Sequence, residues 1–486
     1  MADVLTYGGS WLNFGGSLVV MPEEALPEYT VRVQFTDTSY TPTSATGGTS
    51  KPGGTWTAVD ASQGIWDLYH NGADWSMMFN LSHAYIGANN YAKILGANIG
   101  SDVFTITSMF SNCNALTEVH NFKSSANLSN VTTSSVFNYC SYLTTADVDM
   151  SGASNLSSFF GSCANLSTVT IKTTNSLTNT TGMFSGCNSL VTAPNLVMDN
   201  VETATSMFNT CGSLTTVPSY NMSSCKNAYR MFNSCSSLTT VPTLNTVNLL
   251  YADDMFRLCS ALTSVTIDLQ KATTTYEMFY GCENLVTVNI TGTQGVTGAA
   301  TNTSYMFYEC QKLTTINGFF NTSNVTTMAC MFRNCQALTA VPNMNTGNVT
   351  SMLQMMQDCR ALATVPSFNT SSVTTFKNFM SGCWNITSLP LFDMSTATNL
   401  EYAFSNCKNI TAVPLFDTSS ATSMNSMFYM CKKVESGALA LYQQASTQSI
   451  PPSSHSNCFT QCGSDTTTGQ QELAQIPTTW GGTLQS

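Results

Sequence analysis

The chain has 486 residues, a formal net charge of −11 and a pI near 4.7, yet only 9% of its residues are charged. A surface so poor in Lys and Arg has no footprint for a phosphate backbone, so no nucleic-acid partner is expected. No run of about 18 uninterrupted apolar residues occurs, and no membrane insertion is expected.

Residues 1–58 carry no repeat. Their start, MADVLTYGGSWLNFGGSLVV, has no basic residue and is interrupted by Gly9, Gly15 and Gly16, so it does not read as a secretory signal. YTVRVQF, Tyr29 to Phe35, alternates as a strand does, and the Thr/Ser/Gly-rich run after it reads as a loop. Trp11, Trp56, Trp66 and Trp75 put four of the six tryptophans in the first 75 residues. That concentration suits a cap over whatever follows, or a docking or oligomerisation module. Residues 59–112 are expected to form an N-terminal capping rung with an insertion, in which MMFNLS, Met77 to Ser82, is a degenerate copy of the repeat.

From about residue 105 to 435 one unit recurs, seen in MFRNCQALTAVPNMNTGNVTSMLQ, Met331 to Gln354. The cysteine that follows its Met-Phe pair by two residues is a ruler: Cys113, Cys140, Cys163, Cys187, Cys211, Cys235, Cys259, Cys282, Cys310, Cys335, Cys359, Cys383, Cys407 and Cys431, at spacings of 23 to 28 residues. A regular period in the twenties is the mark of a solenoid, here expected over residues 113–435.

Within a rung, Cys335, Leu338, Val341 and Met344 suit a short strand and turn, while Val349, Met352, Met356 and Cys359 recur three to four apart, as one face of a helix would. The expectation is therefore an α/β solenoid of about 24-residue rungs, with short parallel strands and helical returns. The Asn/Asp-Thr-Ser segments between them (Asn321, Asn345, Asn369, Asp417) are turn and cap chemistry.

Alternation along Leu262 to Ile267 sends Val265 and Ile267 inward and Ser264 and Thr266 outward. Elsewhere the second outward position is proline, at Pro194, Pro218, Pro242, Pro342, Pro366, Pro390 and Pro414. Proline cannot donate to a ladder, so those strands must be very short or end there. The outward face is the expected ligand surface: Glu118, His120, Thr145, Asp147, Thr168, Thr216, Thr240, Ser264, Thr266, Thr287 and Thr315, with Trp384 as a candidate aromatic platform.

Fourteen of the eighteen cysteines are ruler positions and form a column in which an interior thiol has two equal neighbours, which favours buried free thiols over a disulfide framework. CFTQC makes Cys462 a further ruler position, and LAQIP, Leu473 to Pro477, reads as a last strand after a helical insertion at Gly437 to Thr447. Residues 436–486 are then a C-terminal cap. His455, Cys458 and Cys462 fall short of a metal set. His70, His83, His120 and His455 are scattered, so no catalytic residue, metal or cofactor is expected.

The MF-x-x-C-x-x-L-T-x-V-P pattern with NTSNVT-like turns, over roughly residues 60 to 480, resembles the BspA-type leucine-rich repeats. The resemblance implies a parallel-sheet solenoid that binds proteins, matrix or cell surfaces, and supplies no catalytic residues. A non-enzymatic recognition protein is expected, binding a protein or glycan on a cell surface. The favoured setting is a phage virion, as a tail, fibre or head-surface part made in the host cytoplasm and joined to virion proteins through residues 1–58. A bacterial surface adhesin is the alternative, a surface-polysaccharide hydrolase the third reading, and a homo-oligomer is compatible with each.

Overall fold

The computed structural model describes residues 13–14, 17–18, 26, 30–36, 38, 42, 55–70, 75, 91–100, 102–124, 128–292, 300–318 and 321–483. Met77 to Ser82, expected as a degenerate rung, lies outside the described residues. The chain divides into two compact units, residues 1–190 with 194–197, and residues 191–193 with 198–486.

In the first unit a small antiparallel pair, β1 (Asn13–Phe14) and β2 (Ser17–Leu18), precedes β3 (Thr30–Phe35), β4 (Thr55–Asp60) and β5 (Ile65–Tyr69). These lead to β6 (Tyr91–Ile99), β7 (Glu118–Ser124), β8 (Thr145–Asp149) and β9 (Thr168–Lys172). One seven-stranded sheet joins them in the order β4-β5-β3-β6-β7-β8-β9. The strand expected at Tyr29 to Phe35 is present as β3, whose Val31, Val33 and Phe35 are buried. It pairs antiparallel with both β5 and β6, whereas β6 through β9 pair in parallel, one strand per coil. The N-terminal strands therefore continue the repeat sheet and cover its first edge.

In the second unit β10 (Ser264–Asp268), β11 (Thr287–Thr291) and β12 (Thr315–Asn317) form a parallel sheet. Val265, Ile267 and Val288 are buried, so the inward alternation is met. Rungs carrying the proline column have no strand of this length; they touch their neighbours through single bridges such as Thr192↔Thr216 and Ala340↔Thr364, whose residues each stand two before a proline. Pairing stops where the N–H is missing, which accounts for the prolines.

The helical returns are not found. Val349, Met352, Met356 and Cys359 are fully buried as the spacing requires, but the backbone is a run of tight turns. Gln354 (φ 55°) and Asp358 (φ 60°) are left-handed, and equivalent residues recur five and one before the ruler cysteine in successive coils, as at Cys330 and Asn334 or Tyr402 and Asn406. Between them the amides alternate. Met355, Gln357 and Cys359 donate to the carbonyl three residues back, while Gln354, Met356 and Asp358 donate to Lys377, Phe379 and Ser381 of the next coil. A helix would use every amide inside its own coil; the left-handed residues free every second one to tie coils together. The fold is thus a leucine-rich-repeat β-solenoid with few helices.

Those helices close the C-terminal end: α1 (Ala438–Ser446), as expected from Gly437 to Thr447, and α2 (Thr467–Leu473). Leu473 to Pro477, expected as a strand, instead finishes α2 and turns, since Thr466 caps the amide of Gly469 and starts a helix there. Cys462 is a ruler position: Phe428 and Met430 donate to Cys458 and Thr460, as Phe404 and Asn406 in the coil before donate to Met427 and Tyr429.

Candidate functional site

The ruler cysteines are interior. All 18 thiols are free and buried. Many also donate to the preceding coil, as Cys140 does to the Phe110 carbonyl at 3.1 Å, Cys335 to Phe307 at 3.0 Å and Cys431 to Phe404 at 3.1 Å. Burial pushes the Cys407 thiol up to about 12, which keeps the donor proton in place. Beside them the phenyl rings stack from coil to coil, with Phe256 and Phe279 5.5 Å apart and 3° from parallel. The turn residues behave as their chemistry demands: Asn345 Oδ1 accepts from the Gly347 amide, and buried Thr346 donates to the Asn369 carbonyl of the next coil at 2.8 Å.

On the outward sheet face of the first unit, β7 to β9 bring together Glu118, Thr145 and Thr168 in register, with Asp147 opposite Thr170. A bulge between Val119 and Phe122, with Asn121 at φ 48°, turns His120 back to Glu118, 2.9 Å away, and Lys93 Nζ reaches the other carboxylate oxygen at 2.8 Å. Burial would lift the Glu118 carboxyl, but the bonds from Lys93 and His120 outweigh it and hold the group below its ordinary value.

The second unit gathers Thr216 and Thr240 at single bridges and Ser264, Thr287 and Thr315 in register along its sheet. Thr266 starts an outward ladder: Asn289 donates to Thr266 Oγ1 at 3.1 Å, and Asn317 to Asn289 at 2.8 Å. Trp384 does not join this face. It follows Cys383 directly, ahead of the strand position, and its ring carries Arg360 from the preceding coil at 4.4 Å and Lys408 from the following coil at 4.2 Å. It is therefore no open stacking platform.

The return side of the second unit holds an array that the sequence reading passed over. Five residues before successive ruler cysteines stand Arg230, Asp254, Glu277 and Tyr305; two before them stand Arg257, Tyr280, Tyr308 and Arg333. Arg230 pairs with Asp254 at 3.1 Å and Arg257 with Glu277 at 2.7 Å. Arg257 lies 4.8 Å over the Tyr280 ring, Tyr280 stacks on Tyr308 at 4.7 Å, and Arg333 covers Tyr308 at 5.4 Å. Burial lifts the Asp254 carboxyl, with Arg230 opposing. The signal was available in the sequence: aligning coils on the cysteine puts these scarce charges in two columns.

Among the described residues no three His, Cys, Asp or Glu side chains are grouped to hold a metal ion, and no helix is long and apolar enough to cross a membrane. His455 stacks on Trp480 with ring centroids 4.1 Å apart, while Cys458 and Cys462 are buried in the core.

The family model described as "Mycoplasma protein of unknown function, DUF285" matches residues 70–211, 154–269, 178–293, 273–388 and 337–440. Such overlapping windows are what a short period produces. The chain is similar to a leucine-rich repeat protein from Eubacterium ventriosum, at 18% identity and a TM-score of 0.30, over 71% of this chain and 85% of that one. It is also similar to a leucine-rich repeat protein from Bacteroides ovatus, at 16% identity and a TM-score of 0.31, over 68% and 84%. No curated protein matches it.

Proposed function

We infer that this chain, which belongs to the family described as "Mycoplasma protein of unknown function, DUF285", is a non-catalytic recognition protein whose coils present a rigid surface to a macromolecule on a cell. The observation that carries this reading is the Arg257–Tyr280–Tyr308–Arg333 run. Tyrosine and arginine are the residues in which binding energy concentrates at protein interfaces. Here each is held by a neighbour in an adjacent coil, so little side-chain freedom remains to be lost on binding. The outward Thr/Ser face is the second contact surface, suited to hydrogen bonding.

Two settings fit a cell-surface partner. Eighteen buried, unpaired thiols accord with folding in a reducing compartment, which favours a virion part assembled in a host cytoplasm over an exported adhesin. Residues 1–58 would then serve as the docking segment, although β3 also serves as an edge cover for the sheet. Mass spectrometry of purified particles separates the settings.

The test of the recognition reading is adhesion of protein-coated beads to candidate cells, competed by free protein. Replacing Tyr280 and Tyr308 together with alanine should abolish adhesion while the thermal transition persists. Full adhesion by that variant and by one altered on the Thr/Ser face would overturn the reading.

A further inference from the structure

Most of the cations among the described residues have a side-chain oxygen partner within the chain. Arg32, Lys93, Lys172, Lys226, Arg230, Arg257 and Lys377 are paired with carboxylates. Lys271, Lys312 and Arg333 donate to side-chain amide oxygens. Among the described residues, Arg360, Lys408, Lys432 and Lys433 have no side-chain oxygen partner. Three of these four occupy one position: Arg360, Trp384, Lys408 and Lys432 each directly follow a ruler cysteine, in four consecutive coils. Arg360, Trp384 and Lys408 are exposed and Lys432 is half-buried. The indole Nε1 has no acceptor in the protein, and the carboxylates nearest in sequence, Asp358 and Glu435, form no ion pair with these cations.

The strip therefore displays donors alone, a guanidinium, an indole N–H and two ammonium groups, in a chain that is otherwise acidic. Two of its cations are fixed by the indole, Arg360 at 4.4 Å and Lys408 at 4.2 Å from the ring centroid, which removes part of the entropy cost of holding them for a ligand. Since both lie over one ring, the charges of Arg360 and Lys408 are no more than about 9 Å apart, and Lys432 follows one coil, about 5 Å, farther on. What complements such a strip is an extended chain that carries acceptors throughout and negative charge at intervals.

We propose that the Arg360–Trp384–Lys408–Lys432 strip binds an anionic polysaccharide, through carboxylate or sulfate groups on the three cations and a sugar oxygen on the indole N–H. An acidic peptide is the less suited ligand. Half of its backbone polar groups are N–H donors, which meet no acceptor on a strip that displays donors alone, whereas every oxygen of an anionic polysaccharide can accept. The site is separate from the Tyr/Arg run, so it stands even if protein recognition there fails.

The test uses the full chain immobilised and titrated with polygalacturonate, dextran sulfate, neutral dextran and polyglutamate. Binding of polygalacturonate or dextran sulfate, weakened by added salt, with none of dextran, supports the proposal; the arm that binds tighter identifies carboxylate or sulfate as the recognised group. Arg360→Gln with Lys408→Gln should weaken that binding by about tenfold or more, as expected for losing two charge-assisted contacts. Lys271→Gln with Lys312→Gln, elsewhere on the coils, should leave it unchanged. Equal loss from both pairs, no loss from the first, or polyglutamate binding at least as tightly as either polysaccharide would overturn the assignment.

Discussion

The thiol of Cys259 donates to the carbonyl oxygen of Phe232 in the preceding coil, 3.0 Å away, and the same oxygen accepts the amide of Cys235 at 3.1 Å. One carbonyl thus closes a turn in its own coil and receives the neighbour's side chain. This explains why a small apolar residue such as alanine does not replace the cysteine: the site wants a donor as well as a fill. Cys259→Ala should cost about 1–2 kcal/mol from the lost bond and the void, and Cys259→Ser less, because a donor remains. Thermal midpoints of both variants check this, and a serine variant as unstable as the alanine one would remove the hydrogen bond from the explanation. Burial pushes the Cys259 thiol up to about 12, so thiol reagents should label it only on unfolding.

The left-handed positions were not legible in the sequence. Leu258 sits at φ 59° and is partly exposed, a conformation that costs an L-residue roughly 1–2 kcal/mol. Leu258→Gly should therefore stabilise the second unit, by less than 1 kcal/mol or so once the glycine's greater unfolded freedom is charged against it. Gly382 occupies the equivalent place at φ 77°, and a Cβ there would stand 2.5 Å from Asp358 Oδ1. Gly382→Ala should lower the thermal midpoint; opposite signs for the two substitutions are the outcome to look for.

How far the sequence carried depends on which property a residue encodes. Burial was readable: the columns of Cys, Leu and Phe, the alternation at Val265 and Ile267, and the turn role of Asn345 all follow from local chemistry. The return was misread because Val349, Met352, Met356 and Cys359 have helical spacing, and spacing reports which side chains are inside, not which carbonyls their amides reach. Ser, Tyr, Leu and Asp all occupy the left-handed positions, so no residue type marks them. Alternation within one strand accounts for the outward side chains of Ser264 and Thr287, whereas the Tyr/Arg array needed comparison across coils, since Arg257 and Tyr280 are 23 residues apart in the chain.

The proline column yields a paired prediction. Asn289 stands where other coils have proline, within β11, which is bonded on both sides. Asn289→Pro should cost about 1–3 kcal/mol by deleting a ladder donor and leaving a carbonyl unmet, besides losing the amide ladder to Thr266 and Asn317. Pro366→Thr, in a coil where pairing has already narrowed to the Ala340↔Thr364 bridge, should change stability little. Comparable losses at both sites would contradict the link between proline and strand length.

Glu118 gives the first unit an acid dependence. Its carboxyl is held below the ordinary value by Lys93 and His120 against the opposing effect of burial. A carboxylate with a depressed folded value contributes stability above its unfolded value, near pH 4.3 for glutamate, and loses that contribution as pH falls through the folded one. Glu118→Gln should therefore lower the thermal midpoint near neutrality, and the gap to the parent chain should close as the solution is acidified below about pH 4. A gap that stays constant with pH would assign the effect to packing.

The start of α1 is held by a side chain from the neighbouring helix. Helix α1 begins at Gly437, which is left-handed at φ 94° and supplies no capping side chain. Its first amides are met instead by Glu472 of α2, whose two carboxylate oxygens accept from Gly437 at 3.2 Å and Leu439 at 3.1 Å. A charge at a helix N-terminus that also caps two amides is worth about 1–2 kcal/mol, so Glu472→Ala should destabilise α1 by that order and Glu472→Gln by less. Because coils communicate chiefly with their neighbours, the loss should be local. Hydrogen exchange should quicken at Gly437, Leu439 and the last ladder amides, Phe459 and Gln461, which donate to Trp480 and Thr483, while amides near Cys259 keep their protection. Exchange that accelerates equally at Phe256 and Phe459 would mean that the second unit opens as one body, and that the cap holds it all.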